Sequence, residues 1–173
     1  MNNFLEVINT RCSVREFTGE LIPRDDIIKI LKAGSSAPTA VNTQPWNFIT
    51  VTDRKTLNKL CDSLPYAKML DKAAFAIVVC GLPDKDPYYS KEFWVTDCSA
   101  ATENILLAVH ALGYGAVWTA AYHYEDRMQT VRDILSIPQN VNPLCVIPVG
   151  IPVNKNQTPK DKFKNEILHW EKW

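Results

Sequence analysis

An α+β fold, a mixed sheet flanked by helices, is predicted by three features of the chain. Helical and extended patterns alternate along its 173 residues with no internal repeat and no low-complexity linker. The helical patterns lead and only about four central strands are visible, so the order is not a clean βαβαβ series. No G-x-G-x-x-G follows a strand and no GK[ST] loop is present, which argues against a doubly wound nucleotide fold. The length suits one domain spanning 1–173.

The elements follow in order. Phe4, Leu5, Val7 and Ile8 mark a short helix running up to Arg11. Pro23 precedes an amphipathic helix over 24–33, with Asp25 and Asp26 in its first turn, Ile27, Ile30 and Leu31 on one face, and Gly34 where a C-terminus is expected. Residues 47–52 read as a strand, and Asp53 as the N-cap of a helix carrying Leu57 and Leu60. The run 73–81 is continuously apolar and reads as a central strand covered on both faces. A Pro- and aromatic-rich loop over 82–94 follows. Asp97-Cys98-Ser99 then opens a helix apolar on nearly every face, ending near Leu112, which is expected to be buried or at a subunit contact. A strand over 114–119, a helix through Met128, Val131, Ile134 and Leu135, and a strand over 144–150 complete the series.

Composition narrows the function. Hydrophobic residues are 46%, charged residues 22%, and formal net charge is zero. No global field draws the chain to nucleic acid or an acidic membrane, so any anion site is a local cluster. Cys12, Cys61, Cys80, Cys98 and Cys145 form no CxxC pair or Cys/His cluster, which suggests neither zinc nor a disulfide framework. The first residues carry no basic region before an apolar stretch, and no run reaches membrane-spanning length. A reducing cytoplasm is the expected location.

Three segments carry candidate chemistry. In Arg11-Cys12-Ser13-Val14-Arg15-Glu16-Phe17, extended geometry puts Arg11, Ser13 and Arg15 on one side. Two guanidiniums with a hydroxyl between them suit a phosphate; the same pattern, taken alone, also describes two solvated arginines beside a turn. The loop from Ser35 to Trp46 is stiffened by Pro38 and Pro45 and offers Thr39, Asn42 and Gln44, groups able to read a heterocycle edge or to satisfy local backbone. Lys160-Asp161-Lys162 lies in a charged tail whose end, with Trp170 and Trp173, is too aromatic to be left uncovered. His110, His123 and His169 stand in no nucleophile–base context, so no acid or base is assigned. So little acid–base machinery asks for a bound cofactor.

Taken in this order, these segments resemble the nitroreductase family of FMN-dependent oxidoreductases. The resemblance adds Tyr66-Ala67-Lys68-Met69-Leu70, Leu112-Gly113-Tyr114-Gly115 through Trp118, and Pro148-Val149-Gly150-Ile151-Pro152, and it covers nearly the whole chain. It implies a three-layer sandwich with a mainly antiparallel sheet, and a homodimer with an exchanged C-terminal segment and shared active sites. It implies tightly bound FMN, with the phosphate and ribityl chain held by the Arg11, Cys12, Ser13 and Arg15 segment and closed over by Lys160 and Lys162. Lys68 would sit near the pyrimidine edge, Trp118 and Thr119 near flavin N5, and the loop of Pro38, Thr39, Asn42 and Gln44 at the flavin of the other subunit. The implied reaction is ping-pong hydride transfer from NAD(P)H to a nitroaromatic, quinone or similar electron-poor acceptor. Flavin-linked dehalogenation, enone reduction, dehydrogenation, or a non-enzymatic flavin sensor are the alternatives. Two departures from the family pattern stand out: the 82–94 segment is compact, and Glu103 replaces a commoner glutamine.

Overall fold

The run 73–81 is apolar throughout because its strand carries side chains into two cores. Phe75, Ile77 and Val79 join one buried cluster, and Ala76, Val78 and Cys80 join another on the opposite face. The computed structural model describes residues 4–155, 159 and 161–173. Its elements are α1 (Phe4–Thr10), α2 (Arg24–Ser35), β1 (Trp46–Val51), α3 (Arg54–Ser63), β2 (Phe75–Gly81), α4 (Tyr89–Ala111), β3 (Gly115–Ala116), β4 (Thr119–Ala120), α5 (Glu125–Leu135) and β5 (Asn142–Gly150).

The strands form one sheet in the order β1-β2-β5-β3, with β4 also paired to β5. Every strand pair is antiparallel; a single parallel bridge joins Ser13 to Ala116. Ile27 and Ile30 of α2 pack with Cys98, Ala101, Ile105 and Val109 of α4 on one face. Leu57 and Leu60 of α3 pack with Met128 and Val131 of α5 on the other. The architecture is therefore the expected α+β sandwich of three layers.

Local chemistry explains the boundaries. Asp53 caps α3, its carboxylate accepting from the Thr56 N–H at 2.8 Å. Gly34 lies inside α2 rather than beyond it. Its role is packing: a Cβ there would stand 2.7 Å from Ile105 of α4. The expected loop over 82–94 is loop only in its first half. The Asp86 carboxylate accepts from the Tyr88 and Tyr89 amides and starts α4 eight residues before Asp97. Asp97 is accordingly a buried helix residue and not a cap. The expected strand 114–119 is split into β3 and β4. The break falls opposite Pro148, between the pairs Ala116–Val149 and Thr119–Val146, where β5 has no N–H to donate.

The first extended segment is seated on the sheet by two side chains. Val14 and Phe17 are buried, and they lie where Gly115 and Gly150 leave room; a Cβ on either glycine would come within 2.7 Å of them. Val14 N–H donates to the Ala116 carbonyl at 2.9 Å and Thr18 N–H to the Ile151 carbonyl at 2.9 Å. Gly115→Val should lower unfolding stability by about 1–3 kcal/mol, the usual cost of overpacking, as read from denaturant midpoints; an unchanged midpoint would show that Val14 is not clamped there.

Candidate functional site

Seating Val14 and Phe17 inward turns the polar residues of the same segment outward. Arg11, Cys12, Ser13 and Arg15 line one cavity of about 880 Å³, closed on the far side by Pro159, Asp161, Lys162 and Phe163 of the tail. The first segment and the tail, some 150 positions apart in the chain, thus line one cavity. Lys160 lies outside the described residues. The cavity offers two guanidiniums, an ammonium and a hydroxyl, a donor set matched to a phosphate monoester.

Glu103 of α4 also lines this cavity, and its Oε1 lies 3.6 Å from Arg11 Nε. Sequence reasoning found the residue but gave it no role. The available signal was a charged side chain within a helix whose neighbours Cys98, Ala101, Thr102, Ile105 and Leu106 are all buried. Asp161 is the second carboxylate at the cavity; its Oδ1 accepts from the Phe163 N–H at 3.0 Å and shapes the turn that carries Lys162. His110 stands behind the segment, with Nε2 2.9 Å from Thr10 Oγ1. Burial and the nearby Arg11 charge both hold its pKa below the usual histidine value.

The other expected site residues do not line this cavity. Lys68 is exposed on a 3₁₀ turn, Lys68–Asp71, with its ammonium 3.4 Å from the Cys61 carbonyl. Trp118 is half-buried against the α2/α4 core, and the Thr119 hydroxyl donates to the Val146 carbonyl at 2.6 Å. Pro38, Thr39, Asn42 and Gln44 form a separate loop beside α4. There the Gln44 amide donates to Asn42 Oδ1 at 2.9 Å, and Gln44 N–H donates to Thr39 Oγ1 at 3.1 Å. Val41, Asn42 and Gln44 all take positive φ, a conformation costly for non-glycine residues.

Asp97 holds that loop to α4. It is 6% exposed, and its Oδ1 accepts from the Ala40 N–H at 3.3 Å while Oδ2 has no partner. Burial raises its pKa, partly offset by the Ala40 hydrogen bond. Four of the five cysteines are buried, and burial pushes the Cys80 and Cys145 thiols up to about 12, which leaves no thiolate there. Among the described residues no His/Cys/Asp/Glu group could hold a metal ion, and no helix is long and apolar enough to cross a membrane.

The fold and cavity define a three-layer α+β protein with a cation-lined cavity between its first extended segment and its tail. Comparison with known proteins gives the family. A model described as the nitroreductase family matches residues 8–151. A protein of Archaeoglobus fulgidus, provisionally named NADH dehydrogenase/NAD(P)H nitroreductase, is 44% identical over 175 residues and covers 100% of both chains. The crystal structure of a provisionally so-named protein from Parabacteroides distasonis superposes with a TM-score of 0.93 at 43% identity, covering 100% of each chain. The FMN reductase (NADPH) of Bacillus subtilis is 26% identical over 188 residues, 98% of this chain and 74% of that one. The chain belongs to the nitroreductase family. The chain matches the Archaeoglobus protein over its whole length but spans only 74% of the Bacillus FMN reductase, so it is shorter than some of its relatives.

The raised Asp97 pKa has a definite sign in stability. As pH rises through the carboxylate range, near about 4, the unfolded chain releases this proton first. Stability is therefore fully present below that range and declines up to the raised folded value. Asp97→Asn should be more stable than the parent chain at neutral pH, with the advantage disappearing at about pH 4 and below; a pH-independent difference in unfolding free energy would refute this.

Proposed function

We propose that this chain is an FMN-dependent, NAD(P)H-using oxidoreductase that passes hydride to electron-poor acceptors such as nitroaromatics or quinones by a ping-pong scheme. The observation that carries the reading is the convergence of Arg11, Ser13, Arg15 and Lys162 on one cavity in a nitroreductase-family fold. That donor set fits the phosphate of FMN, and FMN supplies the hydride-transfer chemistry that no side chain here provides. Arg11 and Arg15 bind by forked N–H donors, Ser13 adds a neutral donor, and Lys162 closes from the tail as a point charge. Lys68, Trp118 and Thr119 lie on the segments that would border the ring system, Lys68 placing a cation at its polar edge.

A homodimer with shared sites is part of the proposal. Phe163, Ile167, Leu168, Trp170 and Trp173 are exposed along the tail. Among the described residues β1 is paired on one side only, beside a groove lined by Leu21, Ile22, Ile27, Leu31, Thr50 and Phe75. An apolar tail and an open sheet edge are complementary between two copies. One face of the apolar helix α4 is internal core, as expected; its other side, with Leu107, Ala108 and Ala111, joins Phe4 in a second apolar groove. The Pro38–Gln44 loop would then complete the partner's site. A polar double variant, Ile167→Asp with Trp170→Asp, should sediment as monomer where the parent sediments as dimer; a monomeric parent would contradict the shared-site reading.

Steady-state assays with a nitroaromatic, a quinone and a halogenated phenol test the reaction. Turnover of either of the first two supports the proposal, and turnover of the third alone would replace it with dehalogenation. Arg15→Ala should weaken FMN binding by about 1.5–3 kcal/mol, the range for a hydrogen bond to a charged group, and an unchanged affinity in a flavin titration would remove Arg15 from the phosphate clamp.

A further inference from the structure

The anion cavity is not purely cationic. Arg11, Arg15 and Lys162 supply three positive charges, and Glu103 and Asp161 return two negative ones. Asp161 is engaged by the Phe163 amide, whereas Glu103 faces a cation of the site itself. Its side chain is 52% exposed and that of Arg11 only 18%. The half-sheltered guanidinium thus has a solvent-facing carboxylate beside it. At 3.6 Å from Nε the contact is an ion pair along one edge of the guanidinium, not a forked pair across its two terminal nitrogens. Such a pair opens readily, yet its charge remains in the cavity whatever else enters.

From this geometry we infer that Glu103 is a specificity-setting residue that opposes phosphate in the cavity and so weakens the grip on a phosphorylated flavin. The inference rests on the phosphate reading of the site. Glu103 neutralises Arg11 when the cavity holds no anion and repels a phosphate when it does. It has no such effect on a flavin lacking the phosphate. The affinity ratio of FMN to riboflavin is therefore set below what Arg11, Ser13, Arg15 and Lys162 alone would give. Two like charges across a solvated cavity change an equilibrium by roughly three- to tenfold, and the effect is screened by salt.

The test is a fluorescence titration of flavin-stripped protein with FMN and with riboflavin, at low and at moderate salt, for the parent, Glu103→Gln, Glu103→Ala and Arg15→Ala. Glu103→Gln keeps the shape and removes the charge. It should bind FMN about three- to tenfold tighter, with riboflavin nearly unchanged and the gain reduced by salt. Glu103→Ala should move FMN affinity the same way, and inorganic phosphate should compete with FMN more effectively in both variants. FMN affinity that is equal or lower in the Glu103 variants, while Arg15→Ala still weakens it, would overturn the role of Glu103 alone. If neither Arg15→Ala nor the Glu103 variants alter the FMN-to-riboflavin ratio, the phosphate reading itself fails.

Discussion

Val14 and Phe17, pressed against two glycines at the end of the sheet, hold in place the segment that lines the cation-rich cavity. Gly115 and Gly150 leave no Cβ in the way, and the Val14 and Thr18 amides bond the strand ends beneath them. A segment pinned by two buried side chains three positions apart and by its backbone holds its polar residues facing away from the sheet. Arg11, Ser13 and Arg15 are therefore presented to one cavity without any of them having to be buried to stay there. The cost of ordering three polar side chains is shifted to packing, which apolar burial offsets.

The electrostatics then follow from local arrangement, since the chain as a whole is neutral. Cations come from opposite ends of the sequence, Arg11 and Arg15 from the first segment and Lys162 from the tail. The carboxylates of Glu103 and Asp161 stand among them, so the cavity is not purely cationic. His110 stands behind the segment, its pKa lowered by burial and by Arg11. On the far side of the helix layer Asp97 ties the strained 40–44 turn to α4 through the Ala40 amide. Both polar regions thus contact α4, through Glu103 and Asp97, while another face of the helix is core.

Much of this was legible in the sequence, for identifiable reasons. The continuous apolar run at 73–81 had to serve two cores, and Asp53 had the spacing of a cap. Both are local signals, and both were met. The meeting of Arg11–Arg15 with Lys162 was legible only through the family resemblance, because nothing local links residues that far apart. What failed to show was one local cap masked by prolines and two effects that are tertiary. Asp86 begins α4 through its carboxylate in a stretch whose prolines read as loop. Pro148 breaks a neighbouring strand from across the sheet, and Gly34 serves Ile105 rather than a helix end. Glu103 was visible as an oddity on an apolar helix, but its meaning required knowing that Arg11 stands opposite.

The central claim is that the cavity between the first segment and the tail holds a redox-competent flavin. An absorbance spectrum of the purified protein incubated with FMN, desalted, and then treated anaerobically with NADH or NADPH tests it most directly. The account predicts retained flavin bands that bleach on adding the nicotinamide. A colourless protein after FMN incubation, or retained flavin that neither nicotinamide bleaches, would contradict it.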